Sequence, residues 1–190
     1  MKLLLASLVL LCSACSAAKP HVDLMAGLRD FDGRDSWEQT DQQAAVGIQA
    51  SFAEPNGFGP EIALIHSDDT SRDGRYVNRP VYYTKSYIDE LSLGIRKNFM
   101  LGTSFQAYVS GGMSATMLET SADLTYAGTP SDHSVAYSPY AQAGLNYLVN
   151  EHYTCGVMYR RSFWGEDQEI WINDPPTDSN LFMLTVGYSF

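Results

Sequence analysis

The chain has 190 residues, is 45% hydrophobic and 18% charged, and carries 22 acidic against 12 basic residues for a formal net charge of −10. That apolar and aromatic content excludes a disordered chain, and the length suits one domain. The acidic surplus, with no Lys/Arg cluster to displace phosphate counterions, excludes a nucleic-acid binder.

Met1 to Leu11 reads as one Lys followed by an apolar run, and Ser13-Ala14-Cys15-Ser16-Ala17-Ala18 supplies small residues directly after it. Residues 1–18 are therefore expected to be an export signal, leaving residues 19–190 as the folded domain. Cys15 has two readings: cleavage after Ala18, with Ser16 and Ala18 in the small-residue subsites, or lipidation of Cys15 itself, for which Cys12 stands where an aliphatic residue is wanted. Cys155 is the single thiol of the domain, so no intramolecular disulfide is expected. Beyond the signal no apolar run approaches the length of a transmembrane helix, and a membrane protein with this sequence has to be a barrel.

Eight segments follow, each alternating with a period of two. In the first, Val22, Leu24, Ala26 and Leu28 oppose Asp23, Met25, Gly27 and Arg29; in the second, Val46, Ile48, Ala50 and Phe52 oppose Ala45, Gly47, Gln49 and Ser51. Ile62 and Leu64 then face away from Glu61, Ala63 and Ser67, with Ile65 an exception. In the fourth segment Leu91, Leu93 and Ile95 oppose Glu90, Ser92, Gly94 and Arg96. Phe105, Ala107, Val109 and Met113 oppose Gln106, Tyr108, Ser110 and Gly112. In the sixth, Val135, Tyr137, Ala141, Ala143, Leu145 and Tyr147 oppose Ser138, Tyr140, Gln142, Gly144 and Asn146. Tyr153, Cys155, Val157, Tyr159 and Phe163 alternate with Thr154, Gly156, Met158, Arg160 and Ser162, and Phe182, Leu184, Val186, Tyr188 and Phe190 with Met183, Thr185, Gly187 and Ser189. Pro139 cannot donate to a ladder, so the sixth strand is expected to begin after it or to bulge there.

The polar faces decide which side points inward. They hold mainly Gly, Ser, Gln and Ala, which fit a crowded interior, where a water-exposed face carries Lys, Glu and Thr; the apolar faces therefore turn outward to lipid. Phe52, Phe58, Phe99, Phe105, Tyr147, Tyr153 and Phe190 share the apolar parity at one set of strand ends, as an interfacial aromatic girdle requires. Short connections at Glu54-Pro55-Asn56-Gly57, Lys97 to Gly102 and Asn150-Glu151 alternate with long polar ones near residues 31–43, 68–86, 119–134 and 164–180. The expected fold is an all-β, eight-stranded antiparallel up-and-down transmembrane barrel with short periplasmic turns, long outer loops and both termini on the periplasmic side. Hydrocarbon tolerates no unpaired backbone edge, so the sheet must close.

With this rhythm and the terminal Leu184-Thr185-Val186-Gly187-Tyr188-Ser189-Phe190, the chain resembles the small OmpA/OmpX-type outer-membrane β-barrels over its whole mature length. The resemblance implies an assembly signal in Val186, Tyr188 and Phe190 read by the barrel-assembly machinery, an outer-membrane location reached through the periplasm, and a monomeric product. The chain stops at Phe190, so the peptidoglycan-binding domain that some relatives append is not expected.

Inward charges fall in two layers: Asp23, Glu61 and Arg96 near the periplasmic ends, and Arg29, Glu90 and Arg160 farther in, each layer with both signs. An eight-stranded barrel has room for little beyond its own side chains, so these residues are expected to pair, aided by Gln49, Gln106, Gln142 and Asn146, in a plugged, non-conducting core. Candidate chemistry is sparse. His66-Ser67-Asp68-Asp69 and the third-loop Ser131-Asp132-His133-Ser134 hold Ser/His types, but adjacent strand residues point to opposite faces and the loop offers no oxyanion hole. Glu166, Asp167, Glu169, Asp174 and Asp178, beside Trp164 and Trp171, match no metal-loop spacing, and Asp30-Phe31-Asp32-Gly33-Arg34-Asp35 has Arg34 where a calcium ligand belongs. No catalytic, cofactor or metal site is expected.

Arg72, Arg75, Arg79 and Lys85, interleaved with Tyr76, Tyr82 and Tyr83, and Arg161 near the same rim suit lipopolysaccharide phosphates; the alternative is ordinary surface charge on a two-stranded extension. The expected function is a structural or surface-interaction role through the outer loops, with outer-membrane lipids and lipopolysaccharide as partners. The rivals are a carrier of small hydrophobic molecules opening through the wall near Pro139 and Gly111-Gly112, and a lipid-modifying enzyme using His66 or His133.

Overall fold

The computed structural model describes residues 20–31, 42–76, 79–124, 131–163 and 178–190; within strands, the side chains of 69–76, 79–86, 120–124 and 131–134 are left aside. The signal segment, most of Asp30 to Asp35 and the fourth-loop acidic cluster except Asp178 lie outside the described residues. The strands are β1 His21–Phe31, β2 Gln42–Ser51, β3 Phe58–Tyr76, β4 Arg79–Leu101, β5 Phe105–Leu124, β6 Ser131–Leu148, β7 Tyr153–Phe163 and β8 Asp178–Ser189. Each pairs antiparallel with its neighbours in sequence, and β1 closes on β8 from His21↔Ser189 to Phe31↔Ser179, giving a closed barrel. No described helix is long and apolar enough to cross a membrane.

The two faces are inverted relative to a water-soluble protein. Leu24, Leu93, Ile95, Leu184 and Val186 are all more than half exposed, whereas Arg29, Arg96 and Arg160 are 0% exposed and are the largest enclosed side chains. Buried guanidiniums beside bare leucines are stable only where the outer solvent is apolar. Along β4 the outward residues from Leu91 to Leu101 are apolar except Lys97, whose Nζ lies over the rings of Phe58 and Phe99 at 4.5 and 5.6 Å near the short-turn edge. Ten steps of about 3.4 Å, tilted roughly 40°, rise about 26 Å, which matches the apolar band of an outer-membrane barrel. The lower edge of the band carries the aromatics: Phe105 packs on Tyr147 at 5.3 Å between ring centres, and Tyr188 on Tyr153 at 5.2 Å and Phe190 at 5.0 Å.

The short turns are held by backbone and side-chain acceptors together. Gly57 N donates to Glu54 O at 3.0 Å, Asn56 Oδ1 takes the amide of Met100 at 2.8 Å, and Asn150 Oδ1 takes those of His152 and Tyr153, both at 2.8 Å. β4 runs on to Leu101, so the turn is shorter than the Lys97–Gly102 stretch read from sequence, and Gly102 takes the left-handed conformation there (φ 80°).

Two further expectations are corrected. The stretches 68–86 and 119–134 are largely strand: β3 and β4 pair as far as Tyr76↔Arg79, and β5 and β6 as far as Ser121↔Ser131. These hairpins continue past the apolar band, where the sequence no longer alternates apolar and polar residues with a period of two. β6 neither begins after Pro139 nor bulges at it, since Pro139 opposes Met113 in an unbroken β5–β6 ladder. Pro139 sits one residue beyond the last β6–β7 pair, Tyr140↔Ser162, where a missing donor is tolerated as at a sheet edge.

Candidate functional site

The inward parity of eight strands converges on the barrel interior, and the six charges named from sequence lie there. In the lower layer Arg96 Nη1 stands 3.6 Å from Asp23 Oδ2 and 3.9 Å from Glu61 Oε2. Arg96 Nε donates to Asn98 Oδ1 at 2.9 Å, and Asn98 ties back to the β2–β3 turn through the carbonyls of Ala53 and Glu54 at 3.1 and 3.0 Å. Glu61 also accepts from Gln49 Nε2 and Ser110 Oγ, both at 2.9 Å, and Gln142 donates to Gln49 at 3.1 Å. In the upper layer Arg29 Nη2 donates to Glu90 Oε2 at 2.6 Å while Arg160 Nη2 holds Oε1 of the same carboxylate. Arg160 Nη1 reaches Ser92 Oγ at 2.9 Å.

Sequence reasoning placed Tyr108 and Tyr140 inward without giving them a role. The Arg96 guanidinium lies 3.5 Å over the Tyr108 ring and that of Arg160 3.7 Å over Tyr140, so each layer gains a cation–π contact in a desolvated setting. Glycines make the room. A Cβ on Gly144 would enter the Tyr108 ring, and one on Gly94 would strike the Tyr140 hydroxyl. The signal was available in the register, since Tyr108 directly opposes Gly144. His21 was also missed: its Nε2 lies 2.9 Å from Asp23 Oδ1 and its Nδ1 2.8 Å from Ser189 Oγ.

The interior is less polar than its parity suggested. Met25, Ile65, Met158, Leu181 and Met183 cluster with Tyr108 along the inner wall, from the level of Arg96 up to that of Glu90, which Ile65 opposes, and Phe31, Ile88 and Leu118 form a second apolar group on the outer side of Glu90. Ile65, the exception in the β3 pattern, is 2% exposed and belongs to the first of these clusters.

On the outer wall, His66 Nδ1 meets Asp89 Oδ1 at 2.8 Å and Arg161 Nη2 meets Asp178 Oδ2 at 2.6 Å, both just above the apolar band. Ser67 is buried inside while His66 is exposed outside, so the barrel wall separates the two members of that Ser/His pair. The Ser131–Ser134 cluster stands on the β6 ladder, not in a loop. The ladder through Gly111↔Ala141, Gly112↔Tyr140 and Met113↔Pro139 is continuous, and the one register shift between β4 and β5 falls at Val81/Tyr83, beyond the band. The wall weakness that suggested a lateral carrier is thus missing at those positions. Arg72, Arg75, Arg79 and Lys85 lie on the paired backbone of the β3–β4 extension.

An inside-out closed barrel, apolar over a bilayer's height, agrees with a family match over nearly the whole chain: the model of the outer membrane protein beta-barrel domain fits residues 3–190. The chain belongs to this family. It is an outer-membrane β-barrel protein of the OmpA/OmpX type. Its fold is similar to that of Ail, the attachment invasion locus protein of Yersinia pestis, solved in complex with the heparin analogue sucrose octasulfate (13% identity, TM-score 0.58, covering 91% of this chain and 97% of Ail). It is also similar to neisserial surface protein A (13%, 0.57, 92% and 98%) and to the N-terminal barrel domain of Pseudomonas aeruginosa OprF (15%, 0.52, 90% and 97%). At such identities the likeness concerns the fold alone. No curated protein sequence matches the chain.

Proposed function

We propose that this protein is a non-conducting outer-membrane barrel whose role lies at the cell surface, where the β3–β4 extension binds anionic envelope glycans, lipopolysaccharide phosphate first among them. The observation that carries this reading is the paired hairpin running past Leu91 to Tyr76↔Arg79, with Arg72, Arg75, Arg79 and Lys85 along it. Guanidinium and ammonium groups on a fixed ribbon suit phosphate and sulfate, and Arg161 stands at the boundary below, held by Asp178. The relative Ail was solved with a sulfated sugar; a polyanion is the ligand class that this basic hairpin fits as well.

The ion-paired, apolar-sealed interior supports the absence of conduction, and the separation of His66 from Ser67 supports a role without catalysis. In this reading the chain is exported with residues 1–18 removed, Val186, Tyr188 and Phe190 are read by the barrel-assembly machinery, and the product is a monomer. Reversing Arg72, Arg75, Arg79 and Lys85 to Glu together should weaken binding of the reconstituted protein to phosphorylated lipopolysaccharide at least tenfold. Binding to dephosphorylated lipopolysaccharide should change little. Equal affinity of the reversed variant and the parent for the phosphorylated form would refute the proposal.

A further inference from the structure

The outward wall carries a recess of about 670 Å³, lined in part by the ladder row His66, Asp89 and Met117 and by the neighbouring row Leu64, Leu91 and Ala115. Leu64, Leu91 and Met117 are exposed toward lipid. Ala115 stands opposite Leu91 on one side and Tyr137 on the other, so the wall drops where the side chain is smallest. The recess is apolar along its length and polar at its upper end. There His66 Nδ1 and Asp89 Oδ1 meet at 2.8 Å, yet the two side chains stay 45% and 67% exposed.

That upper end has an acidic surplus. One row beyond Asp89, Asp68 and Glu119 oppose Tyr87 from its two sides on the same outward parity, and the Tyr87 ring stacks on His66 at 6.4 Å between centres. The cations that the register brings near are Lys85, two residues beyond Tyr87, and the imidazoles of His66 and of His133, which opposes Glu119. With the imidazoles neutral, the carboxylates of Asp68, Asp89 and Glu119 stand against Lys85 alone. A phosphate by itself is repelled by such an edge, and a quaternary ammonium brings no N–H to it. A primary ammonium both carries the complementary charge and donates.

We infer that the recess binds one phospholipid with an ethanolamine headgroup, an acyl chain lying over Ala115 and the ammonium donating to Asp89 and Asp68. The phosphate then lies toward His66 Nε2, the ring nitrogen that Asp89 leaves open. Chain and headgroup thus divide at the level where the wall itself passes from apolar to polar. The site lies on the barrel wall, nearer the bilayer than Arg72 and Lys85, and is independent of what the β3–β4 extension binds.

The test is native mass spectrometry of the full mature barrel released from micelles that hold phosphatidylethanolamine, phosphatidylglycerol and phosphatidylcholine with identical acyl chains in equal amounts. One phosphatidylethanolamine per barrel should survive, favoured about tenfold over each of the others. Ala115→Trp fills the recess and should remove the retained lipid, whereas Ala143→Trp, outward on β6 and outside the recess, should leave it in place. Asp89→Asn keeps the shape of an exposed side chain and should bring phosphatidylethanolamine down to the level of phosphatidylcholine; it serves if Ala115→Trp does not fold. Equal retention of the three lipids, no retained lipid, or a preference undiminished in Ala115→Trp and Asp89→Asn overturns the inference. Displacement of the bound phosphatidylethanolamine by equimolar lipopolysaccharide would assign the recess to the latter and equally overturn it.

Discussion

Glu90 is the residue on which the upper interior turns, because one carboxylate accepts from two enclosed guanidiniums. Replacing it with Gln keeps the shape and removes the charge, leaving both cations without a counter-ion. Breaking a buried pair costs about 3 to 5 kcal/mol, so Glu90→Gln should lower the unfolding free energy in lipid vesicles by about that amount, read from urea titrations; a loss under about 1 kcal/mol would show that the layer is solvated. The position of these charges was legible in the sequence, since parity alone puts Asp23, Arg29, Glu61, Glu90, Arg96 and Arg160 inside. Their pairing, with Glu90 shared by Arg29 and Arg160 and Arg96 set beside Asp23 and Glu61, was not, because it depends on which strands meet across the lumen. The same applies to Tyr108 and Tyr140, whose place over the guanidiniums follows from a register that sequence alternation does not supply.

At the scale of the strand, burial and membrane depth are separate variables. Leu93 lies within the apolar stretch of β4 and Leu101 at its aromatic edge, and both are exposed on the outward face, at 57% and 55%. A charge at mid-bilayer costs roughly 2 to 4 kcal/mol and near the interface about 0 to 1 kcal/mol. Leu93→Arg should therefore destabilise the reconstituted barrel by at least about 1 kcal/mol more than Leu101→Arg in parallel titrations. Equal costs would mean that the outward face is not graded by depth. Strand number and facing were readable because one face of each strand meets hydrocarbon and the other side chains, which enforces a strict period of two. The upper parts of β3 to β6 escaped notice for the converse reason: from Asp68 onward the sequence loses its period of two, while the backbone ladder continues. Pro139 misled because its missing donor was weighed against a central ladder, whereas it stands just past the end of the β6–β7 pairing.

The molecule as a whole is a closed barrel with strands that extend beyond its apolar band. Its lumen is filled from the mouth inward by Arg96 with its carboxylates, the methionine cluster, the Glu90 layer and the Phe31 group. No stable single-channel conductance is expected in planar bilayers, and long-lived uniform openings would contradict the plugged interior. The raised rim belongs to the paired extensions of β3 to β6.

All of this depends on the outward face meeting lipid. The most direct measurement is spin labelling of the barrel in bilayers, with Cys155 replaced by Ser and single cysteines at Leu91, Leu93 and Ile95, and one at Arg79 as the water reference. Accessibility to molecular oxygen and to a water-soluble nickel complex is then compared at each position. Oxygen should dominate at Leu91, Leu93 and Ile95 and the nickel complex at Arg79; nickel access at Leu93 equal to that at Arg79 would contradict the account.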